Sequence, residues 1–267
     1  DIQRSERFAA ETMVAMGQGQ LGRALSVATD VVERGGVSER IYWLLGKIQR
    51  AQKKGELGRE NLRRAQDSGS TIPHYNIDLG DAYAEDGKTK NAIHFWALGN
   101  RANSNFIPAA ARHLMGRMYK GEAVKSLEED FTRLKETPPE LLGPFDEAAI
   151  ALTEAEMHYY RGKLKEALGF YQKAIELAGE TPLALYRRGQ TYLALNKTSE
   201  GLKDFETCFA ARPHSKHYLF ALARTHAQNK GIKKAIALFK EKPHAQQQTT
   251  DAAYDTALGD IYLSLNN

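Results

Sequence analysis

Cysteine and long apolar runs are the scarcest features of this chain of 267 residues. The one cysteine, Cys208, excludes an intrachain disulfide framework. It is typical of a reducing compartment but also of a periplasmic protein with a reduced thiol, so the cytoplasm and the bacterial cell envelope both stay open. No uninterrupted apolar stretch approaches the ~20 residues that a membrane-spanning helix needs. The chain begins at Asp1 and not at Met, so we expect an upstream segment that could hold targeting information.

Motifs of catalysis and of cofactor binding are missing as well. The sequence has no nucleophile elbow, no Walker loop and no H-E-x-x-H, so we predict no catalytic residue, no metal site and no cofactor. The stretch GQGQLG, Gly17 to Gly22, fits the spacing of a dinucleotide-binding loop. The preceding FAAETMVAM reads as a helix, whereas a dinucleotide fold requires a strand there. We therefore interpret Gly17 and Gly19 as part of a turn between two helices, where a positive φ is needed.

The composition is that of a folded soluble protein, with 42% hydrophobic and 26% charged residues. The net charge of +4 is modest, but basic residues concentrate between positions 39 and 64. We interpret them as solvated helix faces; contact with an acidic partner is the alternative, and nucleic acid is an unlikely one. The basic residues are Arg40, Lys47, Arg50, Lys53, Lys54, Arg59, Arg63 and Arg64.

An internal repeat is the dominant feature of the sequence. Within residues 186–213, a glycine is followed by an aromatic residue after 3 positions, a small residue after 12, an aromatic residue after 16 and a proline after 24: Gly189, Tyr192, Gly201, Phe205 and Pro213. Residues 79–96 repeat the first three offsets with Gly80, Tyr83, Ala92 and Trp96.

This pattern resembles the signature of the tetratricopeptide-repeat (TPR) family, whose unit is a helix–turn–helix of 34 residues. We number each unit from 1 to 34, with the small residue at position 8. The resemblance implies an all-α fold: a right-handed superhelical α-solenoid of antiparallel helix pairs, with helix A at about positions 2–14 and helix B at about 18–30. The units start at Ser5, Glu39, Pro73, near Ala109, and at Ala148, Pro182, Lys216 and Ala252.

Glycine at position 8 needs a packing explanation, because glycine inside a helix costs ~1 kcal/mol relative to alanine. Five units have it: Gly46, Gly80, Gly116, Gly189 and Gly259. We predict that helix B crosses helix A at this point and that the bulky residue at position 24 lies alongside. Those bulky residues are Leu62, Trp96, Tyr171, Phe205 and Phe239.

The fourth unit departs from the pattern after Tyr119, and the segment that follows contains Pro138, Pro139 and Pro144, which block helix continuation. We therefore divide the chain into repeat arrays 1–143 and 144–267. The sequence stops soon after helix A of an eighth unit, so we expect a fragment of a longer protein, or self-association through this end. The apolar stripe expected to be uncovered there is Ala257, Leu258, Ile261 and Tyr262.

The resemblance also implies where a partner binds, because TPR proteins line a concave groove with helix A positions 2, 5, 9, 12 and 13. The first half of this groove reads as basic with one tryptophan and the second half as aromatic and aliphatic. The alternative is that the tyrosines pack between adjacent helices. The predicted groove residues are Arg40, Trp43, Lys47, Arg50, His74, Asp81, His113, Arg117, Lys120, Glu156, Tyr159, Tyr160, Tyr186, Gln190, Phe220 and Arg224.

The function implied is a non-catalytic protein–protein interaction scaffold that binds a peptide or helix of a partner, with no small-molecule substrate. A place in a larger assembly of the secretion, pilus or polysaccharide-export type would fit. The alternative is a regulatory or substrate-docking arm of a larger enzyme. Position 9 has no Asn in any unit, so recognition of an acidic EEVD-type tail, which TPR domains achieve with Asn there, is not expected.

Replacement of Gly80 by Leu tests the helix crossing. Overpacking at a close helix contact should lower the free energy of unfolding by roughly 1–3 kcal/mol. The measurement is thermal unfolding followed by circular dichroism. An unchanged melting temperature would contradict the crossing of helices A and B at this residue.

Overall fold

A computed structural model describes residues 2–35, 38–68, 71–240 and 252–263. Within these ranges the chain forms fifteen α-helices and no strands, which confirms the predicted all-α repeat fold. Two 3-10 turns, Val124–Leu127 and Pro139–Leu141, accompany them. The helices are α1 Ile2–Gly17, α2 Leu21–Glu33, α3 Glu39–Ala51, α4 Gly55–Asp67, α5 Pro73–Glu85, α6 Thr89–Ala102, α7 Ile107–Tyr119, α8 Glu128–Lys135, α9 Pro144–Tyr160, α10 Leu164–Ala178, α11 Pro182–Ala194, α12 Thr198–Ala211, α13 Lys216–Gln228, α14 Ile232–Lys240 and α15 Ala252–Leu263.

Helix A begins at position 1 of most units, one residue earlier than predicted, because the last residue of the preceding unit caps it. The hydroxyl of Ser38 accepts from the backbone N–H of Ile41, and Thr181 and Ser215 make the equivalent bonds. A hydroxyl at the N-cap satisfies one of the four N–H groups that a helix start leaves unpaired.

The turn from helix A to helix B requires a left-handed residue at position 15. Three described units place Gly19, Gly87 and Gly162 there, with φ of 71°, 72° and 75°. The other three place Lys53, Asn196 and Lys230 there, with φ of 66°, 59° and 58°. The next N–H bonds the carbonyl of position 11, as Lys163 does to His158 at 2.9 Å, which is the Schellman pattern of a helix end. The glycine spacing of GQGQLG is thus a helix–turn–helix, and of its first two glycines only Gly19 has a positive φ.

The predicted helix crossing is present in three units. A Cβ on Gly80 would lie 2.5 Å from Cδ1 of Trp96, and one on Gly189 would lie 2.8 Å from Cε1 of Phe205. Gly46 meets Leu62 at 2.7 Å in the same way. Such distances leave no room for a side chain, so helix B rests directly on the backbone of helix A.

Two of the five position-8 glycines lack this contact, and for them the packing explanation was wrong. At Gly116 a Cβ would meet Ile93 at an ordinary 3.5 Å, because the irregular fourth unit has no regular helix B. At Gly259, on α15, it would meet nothing within 4 Å.

The described chain groups into two compact units. Unit 1 comprises Asp1–Ala84 with Lys88–Glu122, and unit 2 comprises Glu85–Gly87 with Ala123–Asn267. By contact the first unit thus ends at Glu122 and not near 143. The reason is that α8 pairs with α9: Lys135 Nζ lies 2.8 Å from Glu154 Oε1, and Arg161 Nη2 lies 2.7 Å from Glu128 Oε1.

The C-terminal helix is better covered than predicted. Ile261 is buried, and Ala257 and Leu258 pack against the apolar cluster of α13 and α14. Tyr262 is exposed, as expected for the stripe. The predicted end of helix B in the seventh unit, beyond residue 240, lies outside the described residues.

Two glycines seven residues apart test the turn geometry. A Cβ would meet nothing within 4 Å at either Gly162 or Gly169, so sterics between residues cannot distinguish them. Gly162→Ala should cost about 1 kcal/mol, because φ is +75° there. Gly169→Ala, inside α10, should stabilise by up to about 1 kcal/mol. Melting temperatures that move in the same direction for both variants would contradict this assignment.

Candidate partner-binding surfaces

A fully buried carboxylate joins three helices of unit 2. Glu156 on α9 is 0% exposed and accepts a hydrogen bond from the Tyr171 hydroxyl on α10 at 2.6 Å. Arg187 on α11 donates to both of its oxygens, from Nε at 2.7 Å and from Nη2 at 2.6 Å. Breaking a buried ion pair leaves a charge without compensation, so this bidentate pair fixes α11 against the α9–α10 helix pair.

Arg187 also organises the side chains that reach the surface. Its guanidinium lies 4.7 Å from the ring centroid of Tyr159 and 5.9 Å from that of Tyr160. Its Nη1 donates to Gln190 Oε1 at 2.6 Å, and Gln190 Nε2 donates to the Tyr186 hydroxyl at 3.0 Å. We call Tyr159, Tyr160, Tyr186 and Gln190 the tyrosine surface. Tyr160 is its most open member, 44% exposed.

The tyrosine surface is polar but uncharged. Partial burial raises the pKa of Tyr160, and burial raises the pKa of Tyr186 to about 12. Both phenols therefore keep their protons at neutral pH and can act as O–H donors. Since Glu156 is paired with Arg187, the surface offers aromatic faces and hydrogen-bonding groups without an uncompensated charge.

Unit 1 contains the same three-helix arrangement. Asp81 on α5 accepts from Trp96 Nε1 on α6 at 2.8 Å. Arg112 on α7 donates to Asp81 from Nε at 2.8 Å and from Nη2 at 3.0 Å. The sequence separations, 15 and 31 residues, equal those from Glu156 to Tyr171 and Arg187. Position 9 thus carries a carboxylate that joins its own helix pair to the next helix A in both units.

A second aromatic surface lies on unit 1. Trp43 on α3 donates from Nε1 to Asp78 Oδ2 at 2.6 Å, and Lys47 Nζ sits 4.8 Å from the indole centroid. His74 lies 6.4 Å from Trp43 and 4.3 Å from Phe106, centroid to centroid. We call Trp43, Lys47, His74 and Phe106 the tryptophan surface. It runs from α3 across the starts of α5 and α7.

A model of the tetratricopeptide repeat matches residues 186–248. These residues contain the clearest copy of the repeat signature, and the fold is the one that the signature predicts. The chain belongs to the tetratricopeptide-repeat family. Among curated proteins, a tetratricopeptide repeat and J domain-containing co-chaperone of Fusarium oxysporum f. sp. lycopersici is 35% identical over 77 residues. This match covers 29% of the chain but only 15% of the co-chaperone's length.

Solved structures agree on the TPR fold. The APC/C hetero-tetramer Cut9–Hcn1 has a TM-score of 0.51 at 15% identity, over 92% of this chain and 47% of that one. A tetratricopeptide repeat protein from Parabacteroides merdae is similar over 97% and 99% of the two chains, with 16% identity and a TM-score of 0.49.

The TPR register misplaced two of the predicted groove residues. Glu156 is fully buried, and Arg50 is only 8% exposed, so neither lines a surface. Asp81 is committed to Trp96 and Arg112. These side chains face the neighbouring helices because the repeat uses them to join its units.

The expected basic character of the first half is also corrected, since carboxylates neutralise it. Arg40 is bonded to Glu6, and Lys47 Nζ lies 3.4 Å from Asp78 Oδ2. Arg117 Nε lies 2.8 Å from Glu122. None of these three carboxylates occupies a groove position of the TPR register, so a scan of groove positions alone missed them.

The remaining predicted residues differ in accessibility. Lys120 is exposed at the end of α7, and His113 is half-buried. Arg224 is exposed, with Nη2 3.7 Å from Asp260. Phe220 is half-buried and stacks on Phe239 at 6.0 Å between centroids. These four residues do not form a common cluster with either aromatic surface through the contacts described above.

Packing between helices accounts for part of the aromatic content, as the alternative interpretation expected. Tyr186 lies 5.5 Å from Phe205 and 5.6 Å from Tyr218, centroid to centroid, so much of its ring is interior. Tyr160 instead projects from the end of α9, with Tyr159 edge-on to it at 5.7 Å. Tyr160 is therefore the better candidate for contact with a partner.

Arg187, Arg112, Asp78 and Phe106 are site residues that the sequence argument did not find. A signal for the two arginines was present, because each stands 31 residues after an acidic position 9. Phe106 precedes α7, outside helix A, and no repeat position marks it.

Chemistry other than binding finds little support in the described part of the chain. No group of three or more His, Cys, Asp or Glu side chains there could hold a metal ion. No helix there is both long and apolar enough to cross a membrane. Burial raises the pKa of the Cys208 thiol, which donates to the carbonyl of Pro182 at 3.3 Å, so this cysteine is part of the core.

Replacement of Arg187 by Met tests the buried carboxylate. It should lower the free energy of unfolding by about 3–5 kcal/mol, because Glu156 would remain buried without its partner. The matched control is Arg133→Met, whose pair with Glu129 is exposed and should contribute less than about 1 kcal/mol. Chemical denaturation of both variants provides the measurement. Similar losses for the two would show that Glu156 is not a structural centre of unit 2.

Proposed function

We propose that this TPR chain is a non-catalytic scaffold that binds an extended segment or helix of a partner protein on its A helices. The observation that supports this proposal best is the tyrosine surface, where Arg187 holds Tyr159 and Tyr160 in fixed positions. Tyrosine, tryptophan and arginine dominate binding hot spots. A ring that is already ordered loses little conformational entropy when a partner covers it.

The chemistry of the surface indicates the kind of segment. Neutral phenols and the Gln190 amide suit backbone carbonyl and N–H groups, while the aromatic faces suit apolar side chains. Because Arg187 is fully engaged by Glu156 and Gln190, no cation of the tyrosine surface is left to select an acidic tail. We therefore propose an uncharged, apolar segment as the ligand of unit 2.

We further propose that the chain works as one component of a larger multi-protein assembly, of which the secretion, pilus and polysaccharide-export machineries are the types we consider first. The co-chaperone relative, matched over 15% of its length, supports a role as one module of a longer protein. The same observation supports the alternative of a docking arm on a larger enzyme. The full-length coding sequence separates them, since a catalytic fold would favour the arm and further repeats or a membrane anchor the scaffold.

Selection from a phage-displayed random peptide library on the immobilised chain tests the binding role. Peptides enriched on the wild type should bind Tyr160→Ala at least about tenfold more weakly, because truncating a hot-spot residue costs more than about 1 kcal/mol. Lys173→Ala, an exposed change on helix B of the same unit, is the control. Fluorescence anisotropy of one labelled peptide gives the affinities.

Trp43→Ala identifies which unit takes the ligand. If binding falls with Trp43→Ala and not with Tyr160→Ala, the tryptophan surface is the site and the assignment to unit 2 is wrong. If peptides bind equally to wild type and to a Trp43→Ala, Tyr160→Ala, Tyr186→Ala triple variant, the proposal for the A helices fails.

A further inference from the structure

The two most exposed large apolar side chains of the described chain lie where the repeat is interrupted. Leu141 is 71% exposed and Phe145 is 73% exposed. They are four residues apart, on either side of Gly143, between α8 and α9. Neither belongs to a helix A face, so the binding role proposed above does not account for them.

The backbone around this pair is held in place. Leu141 donates its N–H to the carbonyl of Pro138 at 2.9 Å, and the N–H of Gly143 bonds Asp146 Oδ2 at 2.9 Å. Proline has a fixed φ, and Pro139 and Pro144 begin the 3-10 turn and α9. We call residues 136–147 the acidic knob. Because it is ordered in advance, covering its apolar pair costs little conformational entropy.

The acidic knob has a one-sided charge. Residues 136–147 include four acidic residues and no basic one. Asp146 caps α9, whereas Glu136, Glu140 and Glu147 make no ion pair within the described part of the chain. An apolar centre with an acidic rim should therefore fit a surface with an apolar centre and a basic rim.

Unit 1 presents such a surface on residues 53–64, with five basic and two acidic residues. Lys53 and Lys54 are exposed in the turn before α4. Leu57 is 51% exposed, and Arg64, also exposed, follows seven residues later on the same face of α4. We call residues 53–64 the basic patch.

We propose that the acidic knob of one copy docks on the basic patch of a second copy. Leu141 and Phe145 would cover Leu57, and the glutamates would meet Lys53, Lys54 and Arg64. The two surfaces differ, so the contact is heterologous and leaves one free knob and one free patch at the ends of every oligomer. Association is therefore open-ended and weakened by salt.

Sedimentation velocity across a concentration series tests this proposal. A contact of this size should associate weakly, on the order of 100 μM, and the weight-average sedimentation coefficient should rise with concentration without a plateau at the dimer. Leu141→Ser with Phe145→Ser should weaken association at least tenfold, and so should Lys53→Glu with Lys54→Glu. Lys165→Glu with Lys173→Glu, an equal charge change on exposed positions of α10, should leave it unchanged.

Mixing the two defective variants gives the decisive result. The serine variant keeps its basic patch and the glutamate variant keeps its acidic knob, so together they should form a 1:1 heterodimer that cannot grow. Both variants alter exposed side chains, and circular dichroism should show unchanged helix content. A wild type that stays monomeric up to about 1 mM, or association that survives in both variants, or a mixture without heterodimer, would overturn the proposal and leave the knob to a different partner.

Discussion

The close crossing of two helices at a residue without a side chain is the contact on which each regular repeat depends. Trp96 lies against the backbone of Gly80, and Phe205 against that of Gly189, at distances that exclude even a methyl group. A large ring is thereby buried completely or almost completely, and its burial offsets the helix propensity that glycine gives up. Because a repeat unit contacts mainly its neighbours, this local crossing has to recur along the chain.

Joining one unit to the next uses a different interaction. Asp81 and Glu156 each accept from the aromatic residue of their own helix B and from an arginine of the following helix A. A bidentate arginine–carboxylate pair defines orientation as well as distance. The same guanidinium that holds Glu156 also orders Tyr159 and Gln190 at the surface. The repeat contact therefore determines the geometry of the candidate binding surface.

Interruption of the repeat creates the other surface feature of interest. Once α8 is reduced to eight residues, the chain has to return to helix A through a segment rich in proline. The apolar residues of that segment have no neighbouring unit to cover them. A repeat protein that tolerates such an interruption gains a contact region whose sequence is free of the constraints at positions 8 and 24.

The sequence by itself determined the fold, the register and the turns, because each depends on local spacing. Gly80 and Trp96 sit 16 residues apart in the chain and meet within one helix pair, so their pattern can be read directly. The direction of a charged side chain could not be read in this way. Whether Glu156 or Arg50 faces solvent or a neighbour depends on how adjacent helices pack, and the carboxylates that neutralise Arg40 and Lys47 come from other helices. Only the tertiary structure decided which groove residues stay exposed, because burial and charge compensation arise between helices and not within them.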